Sequence, residues 1–95
     1  MPEMRFRVRW PDQSETLCYS PSLIIKEYFN AGASYALADF VSRSREALEI
    51  ASERVRQKYG FYCSGATDQL AAIERLAEGF SAAENPQVQV LEFIE

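Results

Sequence analysis

Ninety-five residues, 47% hydrophobic and 25% charged, suit one ordinary globular domain, residues 1–95, with a single core. A net charge of −4 argues against general affinity for nucleic acid or an anionic membrane, although a local basic patch can act against that background. The chain has no histidine, which removes the commonest general base and metal ligand and excludes any Ser-His-Asp or Cys-His pair within it.

Catalysis would have to come from carboxylate, thiol, tyrosine or lysine chemistry, or from groups borrowed from a partner, so the chain reads as non-catalytic. No apolar run reaches membrane-spanning length and no signal-peptide layout opens the chain, so the expected compartment is the cytoplasm. The two cysteines, Cys18 and Cys63, should stay reduced there. They are too few for a disulfide framework and wrongly spaced for a zinc site, and no cofactor or metal is expected.

The first predicted element is the clearest. Met4, Phe6, Val8 and Trp10 alternate with Arg5, Arg7 and Arg9, so a strand here sets apolar side chains on one face and three arginines on the other. The turn-rich Pro11-Asp12-Gln13-Ser14 leads into a second strand, Glu15 to Tyr19, and closes an antiparallel hairpin. With Trp10 opposite Glu15, Val8 faces Leu17 and Phe6 faces Tyr19 on the apolar side. The same register sets Arg7 beside Cys18, Arg9 beside Thr16 and Arg5 beside Ser20.

Ser20-Pro21-Ser22 can start a short helix over about 21–30, with Leu23, Ile24, Tyr28 and Phe29 on its buried side and Asn30-Ala31-Gly32 as its stop. The Ile24-Ile25 pair leaves a strand reading open. A long helix follows over 34–59, closed by Gly60, its buried stripe formed by Leu37, Val41, Ser44, Leu48, Ala51 and Val55 and widened by Phe40 and Ala47. Asp39 and Arg43 lie four apart in the favourable order. The charged run from Arg43 to Lys58 reads as a solvated face, because acids and bases are interspersed.

Phe61 to Gly65 connects to a third helix, capped by Thr67 or Asp68 and carrying Leu70, Ile73, Leu76, Ala77 and Phe80. Gly79 weakens its end and Asn85-Pro86 finishes it. The two longer helices should pack as an antiparallel hairpin. Gln87 to Ile94 forms the last strand. The expected fold is therefore α+β, in the order β-β-α-α-α-β, with a three-stranded antiparallel sheet of order 2-1-3 covered on one face by helices.

The last strand does not alternate cleanly. Either Gln87, Gln89, Leu91 and Phe93 or Val88, Val90, Glu92 and Ile94 join the arginines on the open face. An apolar patch rimmed by arginine marks an interface. The bland alternative pairs the arginines with Glu15, Glu92 or Glu95 and lays their stems over the sheet. Cys18 beside Arg7 would be a stabilised thiolate, against the plainer reading of a packed strand residue. Tyr59, Phe61 and Tyr62 read as an aromatic cap on the core or, alternatively, as a pocket lining.

The stretches Arg5-Phe6-Arg7-Val8-Arg9-Trp10-Pro11-Asp12 and Cys18-Tyr19-Ser20-Pro21-Ser22 resemble a family of small bacterial nitrogen starvation response proteins. So do Ala38-Asp39-Phe40, Ala51-Ser52-Glu53-Arg54-Val55 and Tyr59-Gly60-Phe61 with Cys63-Ser64. Gln13 departs from the pattern, where glycine is expected after Pro-Asp, and this touches the turn type. The resemblance implies a gene cluster that also encodes a nitrilase, a radical SAM protein, an acetyltransferase-like protein, an AIR-synthase-related protein and a flavin-dependent oxidoreductase. It thereby implies assimilation of nitrogen from nitriles or cyanide, and it supplies no catalytic residues to carry over.

Taken with the residues, the expectation is an accessory or interaction protein. Its surface would comprise Arg5, Arg7, Arg9, Cys18, Leu91 and Phe93, contacting a second copy as a homodimer or a protein of the same gene cluster. Two alternatives stand beside it: a small-ligand binder or thiol-dependent enzyme using Cys18 beside Arg7, and a nucleic-acid-binding regulator using the three arginines.

Overall fold

The computed structural model describes residues 3–61 and 64–95. The expected readings of Tyr62 and Cys63 lie outside them. Strands β1 (Met4–Arg9) and β2 (Glu15–Ser20) form the hairpin. Then come α1 (Ile25–Tyr28), a short strand β3 (Ser34–Ala36), the long α2 (Leu37–Tyr59), α3 (Ser64–Glu78) and β4 (Gln87–Ile94). The α+β class holds and the last strand pairs antiparallel with β1 as expected. The sheet has four strands rather than three, in the order β2-β1-β4-β3.

The added strand lies where the long helix was expected to begin. The Gly32 N–H donates to the Val90 carbonyl at 2.6 Å, and the Val90 N–H donates to the Ala33 carbonyl at 2.9 Å. Residues 34–36 then continue along β4, with Ser34 opposite Gln89 and Ala36 opposite Gln87. Helix α2 starts only at Leu37, whose N–H donates to the Pro86 carbonyl. A neighbouring strand with unpaired backbone groups outweighs local helical propensity here. At its far end α2 stops at Gly60, which adopts φ 85° and donates to the Arg56 carbonyl.

The hairpin register differs from the expected one by a single residue. Trp10 pairs with Ser14, since its N–H donates to the Ser14 carbonyl at 2.8 Å, and Gln13 closes a turn onto the Trp10 carbonyl at 2.9 Å. Gln13 takes φ 74°, so the loop is a three-residue turn ending in a left-handed residue. Phe6 is therefore opposite Cys18, Val8 opposite Thr16 and Arg7 opposite Leu17. The slip exchanges the faces of β2: Thr16, Cys18 and Ser20 turn inward, while Glu15, Leu17 and Tyr19 turn outward.

The first helix is shorter than expected. Ser20-Pro21-Ser22 forms a side-chain-braced turn, with the Ser20 hydroxyl donating to the Ser22 carbonyl at 2.7 Å, and only residues 25–28 are helical. Helix α3 starts at Ser64, about one turn before the expected caps, and its first turn is anchored by the fully buried Ala66. It runs back along α2, with Arg45 near Glu74 and Ser52 sharing a cleft with Ala66 and Thr67. Leu76, expected in its buried stripe, is exposed.

The core lies between the sheet and the helices. Trp10 is its centre: its ring meets Phe40 edge-on at 5.6 Å, stacks with Phe80 at 5.9 Å, and donates its indole N–H to Thr16 Oγ1 at 3.0 Å. Phe29 links Phe6, Tyr35 and Phe40. Arg43 clasps the rim, bonded to Asp39 and to the Tyr28 carbonyl, both at 2.9 Å, with its guanidinium over Tyr35.

Candidate functional site

The helices pack on the sheet face bearing Phe6 and Val8, so the opposite face is open to solvent. Cross-strand pairing sorts its side chains into three rows. One holds Tyr19, Arg5 and Ile94, the next Leu17, Arg7 and Glu92, and the third Glu15, Arg9, Gln89 and Ser34. The central column is the arginine stripe read from the sequence.

The two flanking columns carry opposite charge. Arg7 Nε donates to Glu92 at 3.0 Å, Arg9 reaches Glu15 at 3.2 Å, and Arg5 lies 4.0 Å from Glu3 and over the Tyr19 ring at 5.7 Å. Each guanidinium of the stripe thus has a carboxylate beside it, Glu92 and Glu15 from the flanking strands and Glu3 from just before β1, so the stripe is paired rather than bare. Between the ion pairs, Leu17 is 45% exposed and Ile94 38% exposed. The outcome mixes both sequence readings: the arginines do lie paired over the sheet, and apolar side chains do remain uncovered beside them.

β4 contributes to both faces. Val88 and Val90 point into the core and Gln87 and Gln89 outward. A bulge at Leu91 then shifts the register, and beyond it Glu92 and Ile94 turn outward while Phe93 packs against the core opposite Phe6. Neither of the two expected sets lies whole on one face. Phe93 is thus a half-buried core neighbour rather than an outward residue, and Leu91 sits half-buried at the bulge.

Cys18 does not stand beside Arg7. It is fully buried opposite Phe6, and burial pushes its thiol up to about 12. The thiolate needed for nucleophilic chemistry is disfavoured there, and the expected Cys18–Arg7 arrangement is replaced by Leu17 beside Arg7. Leu17 is the residue that sequence reasoning missed on this face. Its signal was the turn: one residue less in the loop puts it outside.

Two further features lie elsewhere. Tyr59 and Phe61, expected to cap the core, are exposed, with ring centroids 6.3 Å apart. A cavity of about 620 Å³ between α2 and α3 has Leu37, Val41, Ala77 and Pro86 in its lining, together with the Arg45–Glu74 pair, 3.5 Å apart. Among the described residues no cluster of three or more metal-ligating side chains occurs, and no helix is long and apolar enough to cross a membrane.

The edge of the sheet is guarded at one point. The Tyr19 N–H on the outer strand donates to Gln69 Oε1 of α3 at 2.9 Å, so a side chain occupies a backbone group that another strand would use.

A family model described as nitrogen starvation-induced protein NitG matches residues 5–93, which takes in the four strands and three helices of the described residues apart from the first and last strand residues. No curated protein and no solved structure matches.

Proposed function

Because the chain belongs to the nitrogen starvation-induced protein family, we propose that it is a non-catalytic accessory protein of that response, acting by contact through the open face of its sheet. The observation that carries the reading is Leu17 and Ile94 exposed among the ordered Arg5, Arg7 and Arg9. Arginine stems and planar guanidiniums beside uncovered aliphatic groups form a surface that gains from being covered by protein. The lack of histidine and the disfavoured Cys18 thiolate support a role by contact. The finer setting we propose is nitrogen assimilation from nitriles or cyanide, in the cytoplasm alongside the products of the associated gene cluster.

The test is complementation of a deletion strain under nitrogen limitation. Arg7→Glu and Leu17→Asp should lose growth while keeping their far-ultraviolet circular dichroism and melting transition. Glu49→Lys, on the exposed face of α2, should complement fully. Full complementation by both sheet variants would remove the proposal.

A further inference from the structure

We infer that the open sheet face binds a second copy of this chain, about a two-fold axis that runs parallel to the strands between β1 and β4. The inference rests on the reading of that face as a contact surface, and it names the occupant. Its basis is the arrangement of charge. A wholly basic face would need an acidic partner. Here opposite charges are displaced by one strand, with Arg7 on β1 and Glu92 on β4, side by side at 3.0 Å.

A two-fold axis lying over the middle of the sheet superposes β1 of one copy on β4 of the other and keeps each row in place. Arg7 then meets Glu92 of the second copy, and Glu92 meets its Arg7. Arg5 lies over the second Ile94, Arg9 over the second Gln89, and Glu15 over the second Ser34. No like charges oppose one another. An axis through Arg7, whether along β1 or across the strands, would instead set Arg7 on Arg7, which costs free energy.

The order β2-β1-β4-β3 lets this axis lay β1 and β4 over each other along their length, while β2 meets β3 of the second copy at the Glu15–Ser34 row. Face-to-face sheets sit ~10 Å apart, within reach of an arginine and a glutamate extended toward each other. In the free chain the Arg7–Glu92 pair is half-exposed and contributes little. In the dimer it becomes part of a four-membered alternating network that is shielded from water, while Ile94 is covered by an arginine stem. The face is small, four short strands at ~4.8 Å spacing. The interface therefore belongs at the low end of the size range, below ~1,200 Å² in total, with association that depends on concentration and weakens with salt.

Sedimentation of charge-reversed variants tests this directly. The wild-type chain should sediment at twice its own mass at high concentration. Arg7→Glu alone and Glu92→Arg alone should each sediment as monomers with native circular dichroism. An equimolar mixture of the two should regain the doubled mass, because each supplies the charge that the other lacks. The double variant R7E/E92R, self-complementary again, should also dimerise. A wild-type monomer at every concentration, single variants that still dimerise, or a mixture that stays monomeric would each overturn the inference. Loss of complementation by Arg7→Glu with a strictly monomeric wild type would leave the contact surface standing and assign it to another protein.

Discussion

Gln13 holds the hairpin's register from an uncomfortable conformation. At φ 74° its β-carbon crowds the following carbonyl, at a cost of ~1–2 kcal/mol for a residue other than glycine. Asp12 offsets part of this: its carboxylate accepts from both the N–H and the hydroxyl of Ser14, which holds its pKa below the usual carboxylate range. Gln13→Gly should raise stability by about 1 kcal/mol or slightly less, since glycine also adds chain entropy to the unfolded state. A shift of the urea midpoint to higher concentration with an unchanged m-value is the expected result. Cys18 carries the second prediction at this scale. Its folded-state pKa near 12 lies above the ordinary thiol value near 9, so unfolding releases a proton between those limits. This contribution to stability is complete below about pH 9 and declines as pH rises toward 12. At pH 8 iodoacetamide should leave Cys18 unmodified in the native chain and alkylate it in denaturant, as read by peptide mass spectrometry.

Strand β4 changes face in the middle by carrying one spare residue. Val88 and Val90 are buried before the bulge and Phe93 packs half-buried against the core after it, so the odd and even positions exchange roles at Leu91. The sequence contains that break, since the alternation of Gln87 to Val90 is interrupted by the adjacent apolar pair Val90-Leu91, although Phe93-Ile94 makes a second such pair. Deleting Leu91 should therefore leave a regular strand with Val90 still inward, Glu92 outward and Phe93 inward. We expect that deletion to fold cooperatively. Deleting Arg7 from β1, which has no spare residue, turns Met4 and Phe6 toward solvent and should abolish the cooperative transition. Thermal melts followed by circular dichroism separate the two outcomes. At this scale the long α2 was legible through its spacing and Gly60, whereas β3 was not. Residues 34–36 become a strand only because β4 lies beside them with backbone groups to pair.

Across the whole molecule one aromatic cluster joins sheet to helices. Trp10 follows directly on β1 and touches Phe40 of α2 and Phe80 just beyond α3. A domain of this size has a net stability of ~5–14 kcal/mol. Trp10→Ala should remove ~3–5 kcal/mol, a large share of it, through the cavity and lost burial. Helix and sheet signals should fall together in one transition at lower denaturant, because the same side chain holds both layers. Separate transitions would show that the layers are stabilised independently.

Local chemistry determined much of this protein. The alternation of Met4 to Trp10, the three- and four-residue spacing of α2, and the stop at Gly60 require only neighbours along the chain, whereas α3 ends at Glu78, before Gly79 and well short of the expected stop at Asn85-Pro86. They were enough for the α+β class and for an arginine column on the open face. What surrounds that column was decided by tertiary structure. A one-residue difference in the turn at Gln13 put Leu17 rather than Cys18 beside Arg7. The bulge at Leu91 brought Glu92 and Ile94 outward and Phe93 inward. A strand's side chains change face with every single-residue shift, so the identity of the site depended on two register choices. Those choices are made by pairing between strands distant in sequence, where the hydrogen-bonded partner, not the local pattern, selects the lower free energy.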